Sequence, residues 1–242
     1  MQIKTTQLGH IAWCETTAQQ LEPHDFAVEA WQQRNAIVGQ SKGRYTTWFV
    51  KTDNSDLPQT WVLRHYWRGG MMEKLSRDAY LYTGLQHTRA VAELAILETL
   101  YQEGFAVPRP IAANVERFSL WYRADIIIEH VAGSNDLVAH LRHKPMTEAQ
   151  WYLLGETIAK FHLRGVYHAD LNAKNILLAQ GKFYLIDFDR GELRQPQASW
   201  QQANLQRLLR SFKKELAKLA TLQFNQQHWQ QLLNGYQSVN PI

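Results

Sequence analysis

The chain has 242 residues, 45% of them hydrophobic and 20% charged, with a formal net charge of +4. That balance excludes a disordered chain and allows one large domain or two small lobes, each able to bury a core of its own. The single cysteine, Cys14, excludes an internal disulfide and a cysteine zinc site, and points to a reducing cytoplasm.

The modest positive charge suits an anionic substrate, a membrane surface or plain solubility, and no nucleic-acid partner is expected. No stretch reaches the ~18 uninterrupted apolar residues of a membrane span. The densest, Ile126-Ile127-Ile128, is halted by Glu129 and His130, and the first residues lack the apolar core of a secretory signal. A soluble or peripheral protein is therefore expected. Nine tryptophans fit a core, a sugar-stacking surface or an interfacial belt, and composition does not choose among these.

In chain order, Ala36-Ile37-Val38, a Gly-containing turn and Tyr45 to Val50 predict a hairpin, and Thr60 to Leu63 a third strand. Arg89 to Glu103 predicts a helix stopped by Gly104, with Pro108 and Pro110 beyond it. Asp125 to His130 predicts a strand that runs into a hinge at Ala132-Gly133. Thr147 to Arg164 predicts a long helix with Thr147 as N-cap and Gly165 as its stop. Ile176 to Leu178 and Phe183 to Ile186 flank Gln180-Gly181 as a second hairpin, and glutamine-rich helices follow from about Ser199. A β-rich first half and a helical second half make an α+β, bilobal plan. The expected division is one domain over 1–242, with an N-lobe over 1–130 and a C-lobe over 131–242.

The chemistry concentrates in His168-Ala169-Asp170-Leu171-Asn172-Ala173-Lys174-Asn175 and in Leu185-Ile186-Asp187-Phe188-Asp189. These stretches match the kinase catalytic loop H-x-D-L-x-x-x-N and the metal-binding Asp-Phe pair beyond it. Phosphoryl transfer requires a carboxylate to take or orient the proton of the attacking hydroxyl, and Asp170 stands there. It also requires oxygen ligands for the metal on the phosphates; Asn175 and Asp187 offer an amide oxygen and a carboxylate. Any one of these residues alone would read as a turn former; five matched positions before a hairpin do not.

On these residues the chain resembles the protein-kinase-like superfamily, and within it the lipopolysaccharide-core kinases. The likeness extends over Gly39 to Gly43 with Lys42, Arg44 and Thr46-Thr47, over Leu63-Arg64-His65-Tyr66 and Arg68-Gly69-Gly70, and over Val107-Pro108 with Pro110 to Ala113. It continues in His168 to Leu178, Asp187 to Asp189 and the tail from Asn204-Leu205 to Arg210-Ser211-Phe212. The resemblance implies a protein-kinase-like fold and ATP with Mg2+ as cofactors. The implied acceptor is the 4-hydroxyl of a 3-deoxy-D-manno-octulosonic acid (Kdo) sugar on a lipid A precursor, at the cytoplasmic face of an anionic inner membrane.

In this frame Gly39, Lys42 and Gly43 are expected over the phosphates, with Lys42 or Arg44 adding charge. Arg64 stands where the superfamily carries a phosphate-binding lysine; it keeps the charge and can bind bidentately, and Lys51 is the alternative. Glu93, sharing a helix face with Ile96, Leu97 and Leu100, is the expected partner of Arg64, whereas Glu98 is expected in solvent. The backbone near Glu129 to Val131 is expected at adenine. His168 is expected to hold the loop and not to react.

The segment after Asp187 is too short for a peptide platform and no Ala-Pro-Glu sequence follows, so a small or glycan hydroxyl is the expected acceptor. Arg68, among aromatic neighbours, is the expected substrate contact, against a plain surface loop. Residues 204–219 predict an amphipathic helix whose apolar stripe packs on its own lobe or, with its Arg and Lys residues, lies on an anionic membrane. Two other readings stay open. One is a kinase of another small sugar or aminoglycoside-like metabolite; the other is a non-catalytic pseudokinase, opposed by the joint presence of Asp170, Asn175 and Asp187.

Overall fold

A computed structural model describes residues 1–15, 21–42, 46–52, 59–68 and 78–241. The chain divides into two compact units: unit 1 is 1–103 with 108–130, and unit 2 is 104–107 with 131–242.

Unit 1 is an antiparallel sheet backed by one long helix. Its strands are β1 (Gln2–Thr5), β2 (Gly9–Trp13), β3 (Ile37–Lys42), β4 (Thr46–Lys51), β5 (Thr60–His65), β6 (Tyr80–Leu81), β7 (Pro110–Phe118) and β8 (Trp121–Glu129), and its helices α1 (Val28–Gln33) and α2 (Arg89–Gln102). The order across the sheet is β1-β2-β7-β8-β5-β4-β3, with β6 on β8.

Ile11, Trp31, Val50, Trp61, Leu63 and Ile127 form the core on one face, with Trp13 and Trp48 packed against them. Residues 110–115 of β7 are buried without alternation, the pattern of a strand covered on both faces. The sequence reading missed β1, β2 and β7. β7 gives no period-2 signal, and β1 and β2 are short and defined by pairing, β2 with β7 and β1 with β2. A further difference concerns Gly39, expected in a turn. It lies inside β3 opposite Phe49, beside a register irregularity. Gly43, Arg44 and Tyr45, like Gly69 and Gly70, fall outside the described residues.

Unit 2 contains β9 (Asn135–Asp136), α3 (Leu137–His143), α4 (Glu148–Leu163), β10 (Val166–Tyr167), β11 (Ile176–Ala179), β12 (Lys182–Leu185), β13 (Glu192–Leu193), α5 (Ala198–Lys218) and α6 (Gln226–Val239). Thr147 caps α4 in a reciprocal box, its hydroxyl accepting from Gln150 N–H while the Gln150 side chain accepts from Thr147 N–H. Gly165 ends that helix with φ +86°.

The apolar stripe of α5 is buried through Leu205, Leu208 and Phe212. Phe212 stacks on Phe224, and both lie against Trp151. Of the nine tryptophans, Trp31, Trp61, Trp151, Trp200 and Trp229 are buried, so most serve the two cores.

α4 and α6 cross with their backbones in close approach, and two glycines permit it. A Cβ on Gly155 would stand 1.9 Å from Leu232 O, and one on Gly235 would stand 1.9 Å from Tyr152 O. Helix propensity alone would favour alanine at both positions by about 1 kcal/mol. The crossing reverses the sign. Gly155→Ala and Gly235→Ala should each lower unfolding free energy by about 2–3 kcal/mol in denaturant titration; a stabilising alanine at either position would refute the close crossing.

The same helices bury a polar network. The Tyr236 hydroxyl accepts from the Asn240 side chain at 2.7 Å and lies in hydrogen-bond contact with His162 Nδ1 at 2.8 Å. Burial pushes the His162 imidazole down to about 3, despite the opposing influence of the Asn204 side chain. Its folded pKa lies below its unfolded one, so its contribution is intact above about pH 6.5 and is lost as pH falls toward 3. At pH 5 the loss should be about 2 kcal/mol. A His162→Asn variant should show a flatter dependence of stability on pH between 7 and 5; an unchanged slope would contradict this assignment.

Candidate functional site

In unit 1, alternation along β5 separates two jobs. Trp61 and Leu63 enter the tryptophan-rich core, while Arg64 and Tyr66 face α2. Arg64 Nη2 donates to Glu93 Oε2 at 2.5 Å, and the Tyr66 hydroxyl donates to the same oxygen. The Glu93 side chain is 1% exposed and that of Arg64 23%, so the pair presents its cationic end outward and its anionic end to the core. The structure thus brings Arg64 to Glu93, whereas Lys51 is exposed at the end of β4. Tyr66 was overlooked, although its place two residues beyond Arg64 on one strand face is a period-2 signal.

Glu98, expected in solvent, is largely covered: its side chain is 12% exposed and accepts from Glu15 N–H. The strands at the start of the chain, unrecognised in the sequence, bring that cover. Arg68 lies over the rings of Tyr80 and Trp121, at 5.2 and 5.9 Å. Glu129 closes β8, its N–H bound to Arg109 O and its carboxylate to Arg109 Nε. The Val131 carbonyl accepts from Ser134 N–H. Lys42 is the last residue of β3. A cavity of 660 Å³ in unit 1 is bounded by Trp48, Leu63, His65, Trp67, Asn114 and Asp125 among others, and its described lining includes none of the predicted residues.

In unit 2 the loop from His168 to Asn175 is held by its own polar side chains. Asn172 Oδ1 accepts from the N–H groups of Lys174 and Asn175 at 2.9 and 3.2 Å, an Asx turn that tightens the loop. Asn175 N–H also bonds Asn172 O, and Asn175 O accepts from Ile186 N–H, which sets Asp187 beside Asn175. The Asn175 amide donates from Nδ2 to Asp170 O at 3.0 Å, so its Oδ1 is the atom left for a cation. Asp187 has φ +63°, a left-handed conformation uncommon for a side-chain-bearing residue and frequent at functional sites. Asp170, Asn175 and Asp187 therefore belong to one locality within this unit.

His168 makes that locality. Its Nε2 bonds Ile186 O at 2.9 Å and its Nδ1 accepts from Asp170 N–H at 3.2 Å. A carbonyl can only accept, so Nε2 carries the proton, Nδ1 does not, and the ring is neutral. Burial lowers its pKa, which keeps it so. Phe188 lies against the ring at 4.9 Å. With both nitrogens occupied and the ring buried, His168 positions and does not react.

The Asp170 carboxylate is exposed. Its Oδ1 accepts from Arg207 Nη1 at 3.1 Å and its Oδ2 from the Asn172 side chain at 3.1 Å. α5 reaches this loop because Ser211 Oγ accepts from Ala173 N–H. Arg207 was read as part of an amphipathic helix and Ser211 as part of the family likeness in the tail; nothing local in the sequence says that this helix docks on the loop.

Asn175 and Asp187 are hard oxygen donors, which fits a magnesium ion that takes its remaining ligands from phosphates and water. Among the described residues no group of three or more His, Cys, Asp or Glu forms a self-sufficient metal cage. The pair therefore suits an ion that arrives with a nucleotide.

A family model described as the lipopolysaccharide kinase (Kdo/WaaP) family matches residues 28–236. A 3-deoxy-D-manno-octulosonic acid kinase of Mannheimia succiniciproducens is 44% identical over 223 residues, covering 90% of this chain and 91% of that one. Another of the same name, from Vibrio parahaemolyticus, is 44% identical over 207 residues, covering 85% and 82%. A solved structure titled "WaaP in complex with acyl carrier protein" matches with TM-score 0.51 over 90% of this chain and 87% of that one, at 15% identity. At that identity the likeness concerns the fold alone, which is the protein-kinase-like α+β fold.

The Arg64–Glu93 pair gives a direct test. Removing the cation leaves a carboxylate in the core of unit 1, so Arg64→Met should cost about 3–5 kcal/mol in equilibrium unfolding. Adding Glu93→Leu should recover much of that loss. If Arg64→Met alone is neutral, the two side chains do not form the buried pair described.

Proposed function

Because the chain belongs to the lipopolysaccharide kinase (Kdo/WaaP) family, we propose that it transfers the γ-phosphoryl group of ATP to a hydroxyl of Kdo on a lipid A precursor during assembly of the lipopolysaccharide core. The observation that carries this reading is the loop in which His168 gathers Asp170, Asn175 and Asp187, taken with near end-to-end similarity to proteins named for the Kdo substrate. The acceptor oxygen is the 4-hydroxyl.

Asp170 is the group that takes or orients the acceptor proton, with its carboxylate steered by Asn172 and Arg207. Asn175 Oδ1 and the Asp187 carboxylate would hold a magnesium ion, which would supply charge neutralisation on the phosphates. Arg64 is oriented by Glu93 and Tyr66 to meet the phosphates in place of the usual lysine, a role for which exposed Lys51 has no buried partner among the described residues. Gly39, Lys42 and Gly43 cover the phosphates. A Cβ at Gly39 would make only ordinary contact with Phe49, so packing does not account for the glycine, whereas close approach of backbone to a ligand does. The main chain from Glu129 to Val131 meets adenine, and Arg68 touches the acceptor.

The lipid-linked acceptor implies work at the cytoplasmic face of the inner membrane. We read that association as peripheral; no helix among the described residues is long and apolar enough to cross a membrane. The apolar stripe of α5 is spent inside unit 2, which leaves charge, and not insertion of that stripe, as its means of meeting a membrane.

The test is incubation with ATP, Mg2+ and Kdo-bearing lipid A precursor beside an aminoglycoside panel. Phosphate should appear on the Kdo sugar; phosphate only on an aminoglycoside would replace the acceptor assignment. Asp170→Ala should retain ATP binding while lowering turnover by about 10²–10⁴-fold, and near-normal turnover would remove Asp170 from this role.

A further inference from the structure

Within unit 2 a cavity of 410 Å³ opens beside the Asp170 carboxylate. Lys174, Arg207, Arg210, Lys214 and Lys218 line it with Asp170 and Glu215, so five cations stand against two carboxylates. Four of the cations come from α5 at positions i, i+3, i+7 and i+11, which in a helix is one face. Lys213, one residue off that spacing, does not line the cavity.

The charges are not equivalent. Lys218 donates to Glu215 at 2.7 Å and Lys174 stands 3.5 Å from the same carboxylate; the Lys218 hydrogen bond is the chief reason that the Glu215 pKa lies below its usual range. Arg207 is engaged by Asp170. Arg210 and Lys214 have no ion-pair partner among the described residues. Two cations held side by side without a counter-charge repel one another, and the arrangement is explained if an anion joins them.

We propose that this face of α5 is the anchor for the anionic groups of the acceptor, with Arg210 and Lys214 as its principal contacts and Lys174 and Lys218 at its border. This rests on the kinase reading given above and adds the residues that hold the acceptor. Helical rise places Lys218 about 16 Å from Arg207 along the axis. The strip therefore begins at the reacting end, beside Asp170, and runs away from it. A carboxylate on the sugar being phosphorylated meets the near end at Arg210, and a phosphate elsewhere on the lipid meets Lys214 farther along. Both sources share one chemistry, an oxyanion with several acceptor atoms. The acceptor hydroxyl is then brought to Asp170 by groups that take no part in bond making, which is how remote binding energy assists a reacting centre.

The experiment measures acceptor KM and ATP KM separately for Arg210→Gln, Lys214→Gln and, as control, Lys213→Gln. The first two should raise acceptor KM about 10–100-fold each, the range for losing a charge-assisted contact, with ATP KM unchanged. Added salt should raise acceptor KM in the parent more steeply than in the variants. Lys213→Gln should change neither constant. Acceptors lacking the lipid phosphates, or carrying the sugar carboxylate as an amide, separate the two sources: a modified acceptor should lose its sensitivity to the residue that held the missing group.

Equal changes in both KM values, or none, would overturn the proposal while leaving the kinase reading intact. If the parent phosphorylates no Kdo acceptor, titration of the protein with free Kdo and with glucosamine 1-phosphate still decides it. Binding of either that is weakened by Arg210→Gln or Lys214→Gln and not by Lys213→Gln supports the anion site, and absence of binding refutes it. Loss of binding only to phosphatidylglycerol vesicles, with soluble anions ignored, would make the face a membrane contact and refute the acceptor anchor.

Discussion

One neutral imidazole holds the chemistry of unit 2 together. His168 receives the N–H of Asp170 on one nitrogen and gives its proton to the carbonyl of Ile186 on the other. It thereby joins the loop that carries Asp170 to the segment that carries Asp187. A charged ring could not accept at Nδ1, so the link depends on burial, which disfavours the imidazolium. The left-handed backbone at Asp187 is a conformation that a free chain would seldom choose, and the surrounding bonds hold it there.

Unit 1 solves a different problem with similar means. Glu93 holds the Arg64 guanidinium from inside the core at the cost of desolvating a carboxylate. Tyr66 shares that carboxylate and lowers the cost. Such pairs often contribute less to stability than an apolar replacement of the same shape would.

How much of this was legible can be argued residue by residue. The catalytic loop, the hairpin after it, the Thr147 cap and the glycine stop at Gly165 were readable because each is local: neighbours in sequence are neighbours in space, and the residue types are narrow. Glu93 was readable from helical periodicity and Arg64 by substitution for a lysine. β1, β2 and β7 were not, because a strand buried on both faces loses its alternation and short strands are defined only by their partners. Gly39 was misplaced by a few residues, since a glycine between apolar runs reads as a turn when it is a break within a strand.

The linear order of residues was enough to indicate an α+β kinase and its family and to single out Asp170, Asn175 and Asp187, because those depend on short-range spacing and on residue chemistry that few other arrangements tolerate. The use to which α5 is put was settled in three dimensions. Its arginines and lysines were evident as a basic stripe, but a stripe does not name what it faces. Only the docking of Ser211 on the Ala173 backbone, between residues far apart in the chain, turns that stripe toward Asp170 and makes a pocket where the sequence shows an amphipathic tail.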